Sequence, residues 1–197
     1  SSSWTLTALP LFVWMGEILF RTKLSENLFK GLAPWMSRLP GGLIHVNVVG
    51  CALFAAISGS SAATVATVGK MSIPELRKRN YPEKLLLGSL AGSGTLGLLI
   101  PPSIILIIYG VTVQESIAKL FIAGIIPGIM LAIFFMLYVI GWSVLNKNIM
   151  PKMDEKFSFF QKIKHSGQLI PVIVLILAVI GSIYVGIATA TEAASLG

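Results

Sequence analysis

The sequence is poor in charge and in cysteine. Charged residues make up only 12% of its 197 positions, against about 25% in an ordinary soluble domain. Cys51 is the single cysteine, so a disulfide within the chain is excluded, and with it the usual scaffold of small secreted proteins. Because 55% of the residues are apolar, too few polar residues are left to cover a soluble globule. The composition therefore indicates an integral membrane protein, and it disfavours soluble enzymes and nucleic-acid binders.

The few charges are concentrated in three short stretches. Fourteen of the fifteen Lys and Arg residues lie in residues 21–38, 70–84 and 147–164, and each stretch carries a net charge of +3. In a membrane protein, such stretches indicate which loops face the cytoplasm. The runs without Asp, Glu, Lys or Arg are mostly long enough for the roughly 20 helical residues that cross a bilayer. These runs are residues 1–16, 41–69, 85–114, 120–146 and 166–191.

One of the five apolar runs is predicted not to cross the membrane. If all five crossed, the first two basic stretches would lie on opposite faces, against the preference for positive loops inside. The run 41–69 is small and polar in its middle, at residues 57–64, where a spanning helix would carry large apolar side chains. We therefore predict a re-entrant helical hairpin whose halves meet at residues 58–61. All three basic stretches then lie on the cytoplasmic face.

A second interruption lies at residues 92–103, inside the run 85–109. It contains three glycines followed by Pro101 and Pro102, so the helix is expected to unwind and to free the carbonyls near Gly97 and Ile100. Carbonyl and hydroxyl oxygens suit an alkali cation such as sodium. Two breaks at membrane depth, with helix N-terminal amides at the hairpin tip, are typical of a transporter site for a carboxylate. The alternative is close helix packing through small residues, which leaves the two prolines unexplained.

Several ordered motifs resemble one transporter family. They are LPGGLIHVNV at residues 39–48, FAAISGS at 54–60, IPPS at 100–103 and YG at 109–110, with further matching pieces at both ends. Together they cover nearly the whole chain, and they resemble the large membrane subunit of tripartite ATP-independent periplasmic (TRAP) transporters. The family protein is about twice as long, so the resemblance implies that this chain is an internal fragment and that half of the substrate pocket lies outside it.

The resemblance implies a sodium-coupled, elevator-type secondary transporter of the bacterial or archaeal inner membrane, built from inverted repeats. It is expected to import an organic acid, such as a C4-dicarboxylate or a sialic acid, delivered by a periplasmic binding protein, and to work beside a small membrane subunit. No enzymatic activity, no nucleic-acid partner and no cofactor besides the coupling Na⁺ are expected. The identity of the carboxylate, the number of sodium ions and the oligomeric state do not follow from the chain.

The same resemblance assigns site residues by motif. The sodium ligands would be the hydroxyls of Ser58 and Ser60 and the carbonyls around Gly97, Ile100 and Pro102. Candidate substrate contacts are Ser61, Thr95, Asn47 and Gly59, although Asn47 is explained equally well as an amide that pins a facing segment.

The predicted fold is all-α and polytopic, with about four spanning helices, one amphipathic arm helix, the re-entrant hairpin and one unwound helix. Its four parts are residues 1–38 (spanning helix and arm, the scaffold), 39–112 (part of the transport domain, with hairpin 41–69 and broken helix 85–109), 113–165 (spanning helix and cytoplasmic linker) and 166–197 (spanning helix and start of the second half).

Three other functions are weighed against this one. A related elevator-type carboxylate or ion transporter without a binding protein would share the two breaks. A membrane enzyme using Glu17, His45 or Glu192 is disfavoured, because no Ser/His/Asp set, metal spacing or carboxylate pair occurs at one depth. A purely structural subunit would not need the two prolines.

Overall fold

The fold is all-α, as predicted. The computed structural model describes residues 8–22, 24–151, 159–189 and 192–193, and within these ranges every regular element is helical. The helices are α1 (Ala8–Arg21), α2 (Leu24–Met36), α3 (Ile44–Ser58), α4 (Ser61–Lys78), α5 (Glu83–Gly94), α6 (Leu96–Leu99), α7 (Ile104–Val113), α8 (Ile117–Leu145), α9 (Phe159–Ser166), a 3₁₀ turn (Gly167–Leu169) and α10 (Ile170–Tyr184).

Within the part of the chain that the structure describes, three helical stretches are long and apolar enough to cross a bilayer. They are Glu83–Val113, Ile117–Leu145 and Phe160–Tyr184, and they make the chain a polytopic membrane protein. The spanning helix predicted within residues 1–38 begins in a part of the chain that the structure does not describe, and the described part shows it as the 14-residue α1.

The predicted hairpin is formed by α3 and α4, which are joined by Gly59 and Ser60. The two helices lie side by side: a Cβ placed on Gly50 of α3 would be 3.6 Å from Cγ1 of Val68 on α4. Helix α4 continues to Lys78, nine residues beyond the predicted end of the hairpin. The apolar run ends at the first basic residue, but the helix continues beyond it. In this extension Leu76 is still fully buried, so packing supports the added turns.

Helix α3 is the central element of the fold. Twelve of its fifteen residues are buried, which satisfies the requirement that a re-entrant segment be enclosed by protein. At its start, the N–H of Leu43 donates to the hydroxyl of Tyr81 at 3.0 Å. Farther along, Asn47 Nδ2 donates to the Leu86 carbonyl at 3.2 Å and to Ser89 Oγ at 3.0 Å, which fastens α3 to α5.

The break in the second apolar run is shorter than predicted. Residues 92–99 are helical except for one turn residue, Thr95, and only residues 100–103 leave the helix. Each glycine costs a helix about 1 kcal/mol, and close packing offsets this cost: a Cβ on Gly94 would lie 1.9 Å from Val65 Cγ2, so only glycine permits this contact. Packing cannot replace the N–H groups that the prolines lack.

The predicted linker 147–164 is partly helical. Its last residues form α9, an amphipathic helix that packs against α2. Trp35 Nε1 donates to Ser166 Oγ at 2.8 Å, and Lys162 Nζ lies 5.3 Å from the centre of the Trp35 ring. The side chain of Lys162 is buried by this contact, so the arm helix and the end of the linker form one unit.

Candidate functional site

The tip of the hairpin is a compact hydrogen-bonded turn. Ser60 begins α4, and its Oγ accepts from the N–H of Ala63 at 3.4 Å, because a serine at this position caps the helix. The Ser60 carbonyl accepts from Thr64 Oγ1 at 2.7 Å and from the Thr64 N–H at 3.0 Å. Ser58 Oγ lies 3.0 Å from Thr64 Oγ1 and accepts from the Ser60 N–H at 3.4 Å. The hydroxyls of Ser58 and Thr64 thus meet at the tip, and the hydroxyl of Ser60 caps the helix beside them.

The break after α6 leaves main-chain carbonyls without their helical donors. The carbonyls of Gly97 and Leu98 would normally accept from the amides four residues later, but those positions are Pro101 and Pro102. Leu98 recovers a donor, since Ser103 Oγ donates to its carbonyl at 2.7 Å. The carbonyl of Gly97 therefore lacks the amide that a continuous helix would supply.

The tip and the break are in direct backbone contact. The Gly59 carbonyl accepts from the N–H of Ile104 at 3.1 Å. A Cβ on Gly59 would lie 2.7 Å from the Pro102 carbonyl oxygen, and a Cβ on Gly97 would lie 2.8 Å from the N of Ser61. The absence of both side chains allows the main chains of the two interrupted helices to approach each other closely.

Helix α1 reaches the same point from another side. A Cβ on Gly16 would lie 3.2 Å from Ser58 Cβ and 3.6 Å from the Ser58 carbonyl oxygen. The tip is therefore enclosed by the broken helix and by α1.

The chemistry of this site is that of oxygen ligands. Hydroxyl and carbonyl oxygens surround the contact, and within the described ranges no three His, Cys, Asp or Glu residues are grouped so that they could hold a metal. Such a set favours a hard alkali cation over a transition metal.

Comparison with known proteins decides the family. The profile of the tripartite ATP-independent periplasmic transporter, DctM component, matches residues 1–197. The chain belongs to this family. Its whole length aligns with part of TRAP large permease proteins, which are transporter components of the inner membrane rather than enzymes.

The relatives of this TRAP permease segment are named for different substrates. The C4-dicarboxylate TRAP transporter large permease protein DctM of Pseudomonas aeruginosa is 35% identical over 196 residues, which are 100% of this chain and 45% of the relative. The isethionate TRAP transporter permease protein DctMQ of Oleidesulfovibrio alaskensis is 36% identical, over 98% of this chain and 30% of the relative. The sialic acid TRAP transporter permease protein SiaT of Haemophilus influenzae is 33% identical, over 98% and 31%. The chain thus spans less than half the length of these relatives.

Most of the predicted site residues of the TRAP permease segment lie together. Ser58, Gly59, Ser60 and Ser61 form the tip, and Gly97 and Pro102 touch it from the break. In the described part of the chain, the buried Ser61 Oγ has no hydrogen-bond partner.

Three predicted residues are placed less directly. Ile100 lies in the break, and its side chain packs towards α8, where a Cβ on Gly128 would lie 2.9 Å from Ile100 Cγ1. Thr95 is exposed, and its Oγ1 donates to the Gly92 carbonyl at 2.7 Å. Asn47 is not brought to the tip: it lies eleven positions before Ser58, a distance of about 16 Å along α3. Its hydrogen bonds to α5 are those of a residue that pins a facing segment.

Two residues of the site were not predicted. Thr64 is fully buried and joins Ser58 to the Ser60 carbonyl, while Ser103 caps the carbonyl of Leu98. The signal for Thr64 is its position four residues after Ser60, where a helical threonine hydroxyl reaches the carbonyl of the preceding turn. The signal for Ser103 is that it supplies the first hydroxyl donor after two prolines.

Proposed function

We propose that this segment of a TRAP permease holds a coupling sodium ion between the hairpin tip and the break after α6. The whole transporter then couples sodium entry to the import of an organic acid by an elevator motion. The observation that carries this proposal is the backbone contact between the two breaks, at Gly59 with Pro102 and at Gly97 with Ser61. This contact gathers oxygens from two interrupted helices at one point, as secondary transporters do at their ion sites.

The hydrogen bonds of the tip leave acceptor capacity on its hydroxyl oxygens. Thr64 Oγ1 donates its only proton to the Ser60 carbonyl at 2.7 Å, so it accepts from Ser58 Oγ at 3.0 Å. The Ser58 hydroxyl therefore donates its hydrogen bond to Thr64 Oγ1, and its oxygen can still accept or bind a cation. Ser60 Oγ is likewise an acceptor in its capping bond. Together with the undonated carbonyl of Gly97, these groups give a cation three oxygens.

The two remaining sodium ligands are the carbonyls of Ile100 and Pro102. They lie in the non-helical segment, where a carbonyl is not committed to an amide four residues later. The oxygen of Pro102 already faces the tip, since it is the atom nearest to a Cβ placed on Gly59. Hard cations are held by about six oxygens, so five protein ligands leave room for one from substrate or water.

The substrate of the proposed transporter carries an anionic group. The relatives' named substrates include C4-dicarboxylate, sialic acid and isethionate, and each bears a carboxylate or a sulfonate. The N-terminus of α4, an 18-residue helix, begins at Ser61 and favours such an anion. The unpartnered Ser61 hydroxyl is the direct hydrogen-bond donor, and Gly59 and Thr95 border the same region.

The partners follow from the tripartite family. We assign a small membrane subunit and a periplasmic substrate-binding protein to the complete transporter, with this chain supplying one hairpin and one broken helix. The lipid bilayer surrounds the exposed apolar faces of α8 and α10.

The sodium site is tested by Ser58→Ala, with Ser72→Ala as the matched control. Ser72 lies on α4 and is equally buried, but its position is eleven residues from the start of that helix. We expect Ser58→Ala in the complete transporter, reconstituted in liposomes, to raise the half-saturating sodium concentration about tenfold, because a ligand to a charged group contributes about 1.5–3 kcal/mol. Ser72→Ala should leave it unchanged. Equal sodium dependence of uptake in the two variants would contradict the assignment.

A further inference from the structure

A second cavity lies at the opposite end of the hairpin. It has a volume of about 390 Å³, is open to the surface, and is lined by the α2–α3 loop, the α4–α5 loop, and the C-terminal end of α8 with the residues that follow it. Its polar lining includes Tyr81, Ser143 and Lys147, and Gly41 and Gly42 form one wall. The start of α3 is about 21 Å from Ser58 along the helix, so this cavity is separate from the proposed sodium site.

Ser143 is the first observation that points to a ligand. Only 4% of this residue is exposed, it lines the cavity, and its Oγ has no hydrogen-bond partner within the described residues. A buried hydroxyl without a partner costs about 1–3 kcal/mol. Gly41 packs against this hydroxyl, and a Cβ there would lie 3.1 Å from Ser143 Oγ.

The charge of the cavity favours an anion. Lys147 is the one charged residue among the described residues that line it. The N-terminus of α3, which begins at Ile44, adds a partial positive charge. The C-terminus of α8 contributes a partial negative charge, and Lys147, two residues beyond Leu145, offsets it.

The depth of the cavity in the membrane identifies the source of the anion. The apolar span Ile117–Leu145 ends beside it, so Ser143 and Lys147 lie at the level where lipid headgroups begin. Val144 and Met150 add apolar walls, which suit the glycerol and first acyl carbons of a lipid. Basic pockets between helices at this depth are suited to anionic headgroups.

We propose that this cavity binds the phosphate group of an anionic phospholipid. Lys147 pairs with the phosphate, and Ser143 Oγ donates a hydrogen bond to it. The bound lipid joins the base of the hairpin to the end of α8. This site does not depend on the sodium site, so either one can fail without the other.

The test uses the complete transporter, stripped of lipid in detergent and titrated with phosphatidylglycerol, phosphatidylethanolamine or inorganic phosphate, with bound molecules counted by native mass spectrometry. We expect Lys147→Gln to weaken phosphatidylglycerol binding about fivefold. Lys164→Gln is the matched control, because Lys164 is an exposed lysine of the same basic stretch that does not line the cavity. It should bind the lipid as the unmodified protein does.

A second variant separates binding from folding. Ser143→Ala removes an unpartnered hydroxyl, so the lipid-free protein should melt no lower than the unmodified protein, whereas its stabilisation by phosphatidylglycerol should be reduced. Equal lipid affinity in Lys147→Gln and Lys164→Gln would overturn the proposal. Binding of inorganic phosphate that depends on Lys147, without any such dependence for phosphatidylglycerol, would overturn the lipid assignment in favour of a soluble phosphate.

Discussion

Adding one methyl group at Gly97 should weaken sodium binding without unfolding the helix. The new Cβ would lie 2.8 Å from the N of Ser61 and 3.0 Å from the carbonyl carbon of Ser60. These are backbone atoms, which cannot rotate away as a side chain does. Ordinary contacts of a Cβ begin near 3.4 Å, so the tip has to retreat from the break by about 0.6 Å.

A displacement of this size is large compared with the distance between an ion and its ligands. Oxygens hold hard cations at about 2.3–2.6 Å, so 0.6 Å is roughly a quarter of a ligand distance. Overpacking of this kind costs about 1–3 kcal/mol. If sodium has to pull the tip back against 1–2 kcal/mol of that cost, its affinity falls about five- to thirtyfold. Because alanine favours the helix over glycine by about 1 kcal/mol, folding itself is partly compensated.

The assay is sodium-dependent uptake by the complete transporter in liposomes, together with its melting temperature with and without sodium. Gly88→Ala is the control, since Gly88 lies on the neighbouring α5 and a Cβ there meets nothing within 4 Å. We expect Gly97→Ala to lose most of its stabilisation by sodium and Gly88→Ala to retain it. The same half-saturating sodium concentration in both variants would refute the reasoning that the tip and the break form one ion site.

Two further substitutions test neighbouring parts of the argument. Asn47→Ala should lower the free energy of unfolding by about 2 kcal/mol, since two buried hydrogen bonds to Leu86 and Ser89 are lost, with sodium affinity unchanged; thermal melting with and without sodium measures both, and a changed sodium affinity would place Asn47 in the site after all. Pro101→Ala supplies the amide that the Gly97 carbonyl lacks, so it should close the helix there and reduce sodium-dependent uptake at least tenfold; uptake with normal sodium dependence would exclude that carbonyl as a ligand.

The positions of the two breaks could be predicted from the sequence because each has a local physical cause. Pro101 and Pro102 remove amide donors wherever they stand, and small polar residues at 57–64 are unsuited to face lipid. The extent of the second break depends on tertiary packing. Gly94 stays helical because Val65 of another helix lies against it, and this contact cannot be read from residues 92–103 alone.

Some site residues could likewise be predicted from local sequence, whereas others depend on tertiary packing. The tip serines could be identified from the motif, whereas the placement of Asn47 depends on which helix faces α3 at that level. Thr64 contributes to the site through a hydrogen bond to the preceding turn, which a search for unusual residues overlooks because threonine is common in packed helices. The contact of Gly16 with Ser58 joins parts of the chain 42 residues apart, and no local pattern predicts it.

The hairpin is fastened at both ends to later segments of the chain. At its base the Leu43 N–H is bonded to Tyr81, and at its tip the Gly59 carbonyl is bonded to the Ile104 N–H. A flap that opens and closes over a substrate needs one free end, and swinging this hairpin would break a hydrogen bond at whichever end moved. Lifting the tip alone would therefore break the bond between the Gly59 carbonyl and the Ile104 N–H, whereas moving the hairpin and the broken helix together would keep it.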